Sequence, residues 1–154
     1  MLSLRFSSVS SVFSVFSVSS SPVAAQAPRL GRIAFPTSGA AQAQPAFLRG
    51  VLLLHSFEYD DAIASFHEAQ RLDPGFALAY WGEAMCFNQT LWFNENLEKA
   101  RAALARLAPT RAARQAKAAT PREKGYLDAV ERLFGDGDKT ARNRAYADRM
   151  AELT

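Results

Sequence analysis

The side chains best suited to chemistry are His55, His67, Cys86 and Glu83. An imidazole can shuttle a proton or bind a metal, but a metal centre needs three or four converging ligands. The nitrogen and sulfur donors number three in all, and His67 sits among Glu68, Gln70 and Arg71, on what reads as a wet helix face. No metal is expected. Cys86, inside "WGEAMCF", has nothing basic or orienting beside it and reads as a small buried hydrophobe rather than a nucleophile. Glu83 in the same segment lacks a second acid or base, so general acid–base work has no pair to run on, and an ion-paired or surface glutamate is the simpler reading. His55 closes an apolar stripe and reads as a satisfied or groove-lining histidine.

No residue is therefore assigned as catalytic, no cofactor is called for, and a non-catalytic role is expected. The competing reading is an exported enzyme or small-ligand carrier with a pocket around His55, Trp81, Glu83 and Trp92. It requires those four side chains to converge on one cavity.

Three other stretches carry possible function. "NQTLWFN" puts Leu91, Trp92 and Phe93 where a connection is normally polar; they fold back as a plug over the preceding helices, or stand out as a wedge for a partner. Asn88-Gln89-Thr90 also fits a glycosylation sequon. From Lys99 to Lys124 run eight basic residues and one acid, Glu123, without the interleaved aromatics that stacking on single strands would require. Solvated helix faces explain that run better than a nucleic-acid surface. "GDGD" at Gly135 to Asp138 lacks the closing glutamate of a calcium loop and reads as a turn.

The 154 residues carry a net charge of +3, and the basic excess is confined to the start: Arg5, Arg29, Arg32 and Arg49 precede the first acid, Glu58. Residues 1–25 read as a signal-like leader, with "VSSVFSVFSV" as its apolar part and Val23-x-Ala25 as a small-x-small cleavage pattern. Export to the periplasm or medium is expected, or a cytoplasmic location if the leader is not a working signal. The apolar stretch is too short to span a bilayer, which needs about 20 residues, and one cysteine allows no internal disulfide. Residues 26–41 read as a linker rich in small residues and proline, within which "RIAFP" can form one short extended piece.

From residue 42 to 154 the pattern is helical, with helices expected near 42–57, 59–72, 76–90, 94–108, 121–134 and 139–153. "LDPG" at 72–75 stops the second, Asn94 is expected to cap the fourth, and "TPRE" at 120–123 spells a capping box with proline at the first helical position. The first helix is apolar nearly all round. Ala46, Gly50, Leu53 and Phe57 make one stripe; Phe47, Val51, Leu54 and His55 make a second beside it. The next helix offers Ala62, Phe66 and Ala69, small-large-small, and Gly50 lets it come close. Such a hairpin cannot bury its oily surface alone and is expected to stack on others.

The types and offsets of Gly50, Ala62, Phe66, Ala69 and Pro74 resemble the tetratricopeptide repeat, and a looser copy follows at Tyr80, Gly82, Ala100, Leu104, Leu107 and Pro109. Gly50 to Gly82 spans 32 residues, against about 34 in that repeat. The second copy has six residues too many between Gly82 and Ala100, which "NQTLWF" supplies. "DPGFALAYWGEAM", "LEKARAALARL" and "TPREKGYLDAVERLF" extend the likeness to a bacterial, often exported, tetratricopeptide-repeat family of unsettled role. That resemblance implies an all-α, right-handed stack of antiparallel hairpins. Members run on through further repeats, so the chain is expected to be a fragment of a longer protein. It also implies a concave groove for a peptide or protein segment, lined by Gln44, Phe47, Val51, Leu54 and His55 in the first repeat, then by Tyr80, Trp81 and Glu83, with Trp92 from the loop.

Overall fold

A computed structural model describes residues 30–153, which are mostly helical with one two-stranded ribbon. The signal-like leader, residues 1–25, lies outside the described residues. The helices are α1 (Gln44–His55), α2 (Tyr59–Leu72), α3 (Ala77–Met85), α4 (Leu97–Leu107), α5 (Arg111–Lys117), α6 (Pro121–Leu133) and α7 (Lys139–Ala151). Between α3 and α4, strands β1 (Asn88–Gln89) and β2 (Asn94–Glu95) pair antiparallel around a single 3-10 turn. No helix among the described residues is long and apolar enough to cross a membrane.

Successive helices pack in pairs, α1 on α2, α3 on α4 and α6 on α7, while α3 also touches α1, α2 and α6. Being wrapped on so many sides, α3 is buried at every position from Ala77 to Ala84. The packing turns on one ring. Phe66 of α2 lies where a Cβ on Gly50 of α1 would come within 2.7 Å of it. A Cβ on Gly82 of α3 would overlap the same ring. Two glycines, one on each neighbouring helix, thus leave the slot that Phe66 fills. The expected closeness of Gly50 to Phe66 is present.

Helix ends follow local chemistry. Thr120 accepts from the Glu123 backbone N–H while the Glu123 carboxylate reaches back to the Thr120 N–H, completing the capping box. Asp138 caps α7 by accepting from Ala141 N at 2.9 Å. The helices around the α3–α4 connection differ most from the sequence reading. α3 stops at Met85, because the chain turns at Cys86 and enters the ribbon. Asn96 caps α4, its side chain accepting from Lys99 N at 2.9 Å, since Asn94 is taken up in pairing with Gln89. α5 was not expected. Thr110 caps it through Ala113 N.

Residues 30–40, placed in the linker by sequence, form neither helix nor strand and lie against the helices as a strap. Ser38 donates to Glu123 through its backbone N at 2.6 Å and through its hydroxyl at 2.8 Å. Arg122 donates to the Pro36 carbonyl at 3.1 Å, and Ala40 N donates to Asp73 at 2.8 Å. Phe35 sits 5.6 Å from Phe47, 6.1 Å from Trp81 and 5.6 Å from Tyr126, ring centre to ring centre, with the Arg122 guanidinium 4.7 Å over its face. The all-round oiliness of α1 is thereby explained: one side meets α2 and α3, and another meets the strap, whose Leu30 and Ile33 border a shallow hollow with Leu48 and Leu52.

Candidate functional site

Phe35 of the strap packs against α1, α3 and α6 at once, and beside it lies a cavity of about 470 Å³. Its floor comes from α1 and α3: Leu54 and His55 end one helix, while Trp81 and Met85, four residues apart, fall on one face of the other. Tyr126 of α6 with Tyr146 and Met150 of α7 close the opposite side, and Phe35 of the strap closes the end. Asn88 and Thr90 of the ribbon, with Phe57 from the α1–α2 turn and Tyr59 at the start of α2, complete the mouth.

The mouth is apolar and open. Trp92 stacks edge-on against Phe57 at 5.8 Å and Tyr59 at 5.7 Å. Even so, Phe57 is 48% exposed, Leu91 60%, Trp92 57% and Phe93 91%. Trp92 therefore does fold back on the first hairpin, while Leu91 and Phe93 stand out as a wedge. Phe57 and Phe93 also hold left-handed backbone, φ 63° and 52°, a conformation that costs a bulky residue about 1 kcal/mol or more. The ribbon carrying these rings is tied down by Arg142 of α7. That buried guanidinium donates to Glu95 at 2.6 Å, to the Leu133 carbonyl at 3.0 Å and to the Gly137 carbonyl at 2.6 Å.

The sequence-named residues divide into three groups. Leu54, His55 and Trp81 line the cavity, and Trp92 stands at its mouth. Gln44, Phe47 and Val51 do not reach it. Phe47 and Val51 are fully buried, while Gln44 accepts from Thr37 at 2.8 Å and donates to the Gly39 carbonyl at 2.7 Å, so the strap occupies that end of the face. Tyr80 and Glu83 point elsewhere as well. Tyr80 is buried and donates its hydroxyl to the Pro74 carbonyl at 3.1 Å.

Glu83 is 3% exposed and belongs to a cluster on the side of α2 and α4. It pairs with Arg106, accepts from Gln70 at 2.8 Å and lies 3.0 Å from His67. Two residues from Trp81 is roughly 200° around a helix, so one residue faces the cavity and the other cannot. The carboxylate that a catalytic pocket around His55 would need is thus spent on structure. His55 itself donates Nδ1–H to the Val51 carbonyl at 2.8 Å, the usual local bond of a histidine at a helix end. Cys86 is buried, its thiol lying 3.3 Å from the Gly82 carbonyl; burial first, then the Glu83 charge, push its pKa up to about 12, so it stays an inert thiol.

The basic run is largely engaged within the chain. Arg101 donates to the carbonyls of Phe134 at 2.7 Å and Gly135 at 2.6 Å, and Arg106 pairs with Glu83. Arg111 pairs with Asp128 and Glu131, Arg114 pairs with Glu131 at 2.6 Å, and Arg122 holds the strap. Among the described residues no group of three metal-ligating side chains converges.

Sequence reasoning missed Phe35, Tyr126, Tyr146 and Met150 as cavity residues. Only the "RIAFP" piece carried a hint of Phe35. Comparison with protein-family models, with curated proteins and with solved structures returns no match for the chain.

Proposed function

We propose that the chain is a non-catalytic interaction module, a tetratricopeptide-like stack of helical hairpins that binds an extended apolar segment of a partner protein at the aromatic cavity. The pairwise packing of α1/α2, α3/α4 and α6/α7 supports the stack, as does the slot for Phe66 between two glycines. The observation that carries the reading is the strap. The shared face already holds one non-helical segment by an aromatic anchor and a few backbone bonds, and beside it lies unfilled apolar space with an exposed aromatic mouth. Stacked helical hairpins use such faces to hold peptides by pockets for single side chains. Phe57, Leu91, Trp92 and Phe93 are more apolar surface than a mouth needs for its own stability, and two of them sit on strained backbone. With a working leader the module acts outside the cytoplasm.

Selection of binders from a random peptide library tests this, followed by calorimetry on the purified chain. Enriched peptides are expected to carry aromatic or aliphatic anchors and to bind W92A and F93A at least about tenfold more weakly, the effect of losing an aromatic hot spot. Peptides that bind both variants as tightly as the unaltered chain would contradict the reading.

A further inference from the structure

We propose that the three rings at the mouth, Phe57, Tyr59 and Trp92, receive a cation, and that the partner segment carries a lysine or arginine beside the apolar anchor that enters the cavity. This rests on the interaction-module reading and narrows its partner. The ring centres lie 6.5 Å apart for Phe57 and Tyr59, 5.8 Å for Phe57 and Trp92, and 5.7 Å for Tyr59 and Trp92, with planes at 60°, 71° and 81°. No two planes are parallel, so the rings do not hide their faces by stacking flat. Phe57 and Trp92 each keep about half their surface exposed. A ring face attracts a cation within about 6 Å of its centre, and three centres this close put one cation within that reach of all three.

Charge at the mouth has one sign. Glu58 stands between Phe57 and Tyr59 in the chain and Asp60 follows; both are exposed, and neither carboxylate meets a cation among the described residues. Asp60 in the first turn of α2 is favourable against the helix dipole, but Glu58 precedes the helix and its side chain makes no cap bond. Asp60 also stands on the ribbon's side, close enough to Cys86 that its charge adds to what burial and then Glu83 do to that thiol. No lysine or arginine lines the cavity, and Arg142, which reaches the ribbon, is spent on Glu95 and two carbonyls. An apolar anchor alone would leave this negative charge unanswered. A basic neighbour answers it and sets the register of the segment on the mouth.

Two pairs of probes, each differing only in charge, are titrated into the isotope-labelled chain. The first is choline and its uncharged carbon isostere, in which a tert-butyl group replaces the trimethylammonium; the second is two blocked peptides that set a leucine beside either lysine or norleucine. Choline is expected to move the Trp92 indole resonance, told apart from that of Trp81 with W92F, at about fivefold lower concentration than the isostere. The lysine peptide is expected to bind about tenfold tighter than its twin, with E58Q/D60N removing most of that margin and leaving the norleucine peptide unchanged. A resonance that choline leaves unmoved, or moves no more readily than the isostere does, overturns the cation site. Choline bound with the two peptides equal overturns the partner's basic residue, in favour of a free organic cation. Either result leaves the module reading to the library selection, whose peptides bind or fail at W92A and F93A whatever their charge.

Discussion

Glu123 does two jobs with one carboxylate. It closes the capping box of α6 and holds Ser38 of the strap, and it is 2% exposed while doing so. Burial by itself would raise its pKa, but the N–H and O–H donors of Ser38 and Thr120 outweigh it and hold the group below the ordinary carboxylate range. A depressed folded-state value stabilises the fold above the unfolded pKa of about 4.3. That contribution is lost as pH falls through the folded value. E123Q is expected to lower stability at neutral pH by about 1–3 kcal/mol, the loss of charge-assisted bonds. As pH drops below about 4 the gap between the two chains should close, which urea midpoints across pH would show. A gap unchanged by acid would mean that the carboxylate is not what fastens the strap.

At the scale of elements, α3 is the piece on which both packing and site depend. Its Gly82 receives Phe66, its Glu83 holds the α2/α4 cluster, and its Trp81 and Met85 form the cavity floor, three duties on three faces of nine residues. G82A is expected to destabilise the fold by about 1–3 kcal/mol, because a methyl there overlaps a ring in a filled slot. F66L in the same chain should recover part of the loss by freeing that space, and thermal melts of the single and double variants would measure it. Additive losses would place Phe66 elsewhere. The glycine spacing that marks this slot was legible in the sequence, as were the capping box and the three hairpins. The ribbon after Met85 was not. Its residues 86–95 continue the apolar rhythm of α3, and nothing in a periodicity records that Arg142, 47 residues beyond Glu95, ties β2 to the end of α6.

For the molecule as a whole, the residues named for a groove divide between the open cavity and positions that the fold covers. Leu54 and His55 lie at the end of the second apolar stripe of α1, and Trp81, named from the resemblance, meets them at the cavity although it is buried. Val51 is buried in the core, and Gln44 and Phe47, also named for the groove, are covered by a segment whose prolines and small residues read as a linker. Its hold depends on pairings 85 and 86 residues apart, Ser38 with Glu123 and Pro36 with Arg122, which no local pattern encodes. Glu83 was misplaced for a simpler reason: two positions from Trp81 is the far side of a helix. The chain thus presents a face half closed by its own strap and half open.

Methyl spectra of the methionines test that picture most directly. Met85 and Met150, on helices far apart in sequence, both line the cavity. Titration with a library-selected peptide should shift both methyl signals together, at the concentration where calorimetry shows binding. A peptide that binds with both signals unmoved would put its site elsewhere and contradict the account.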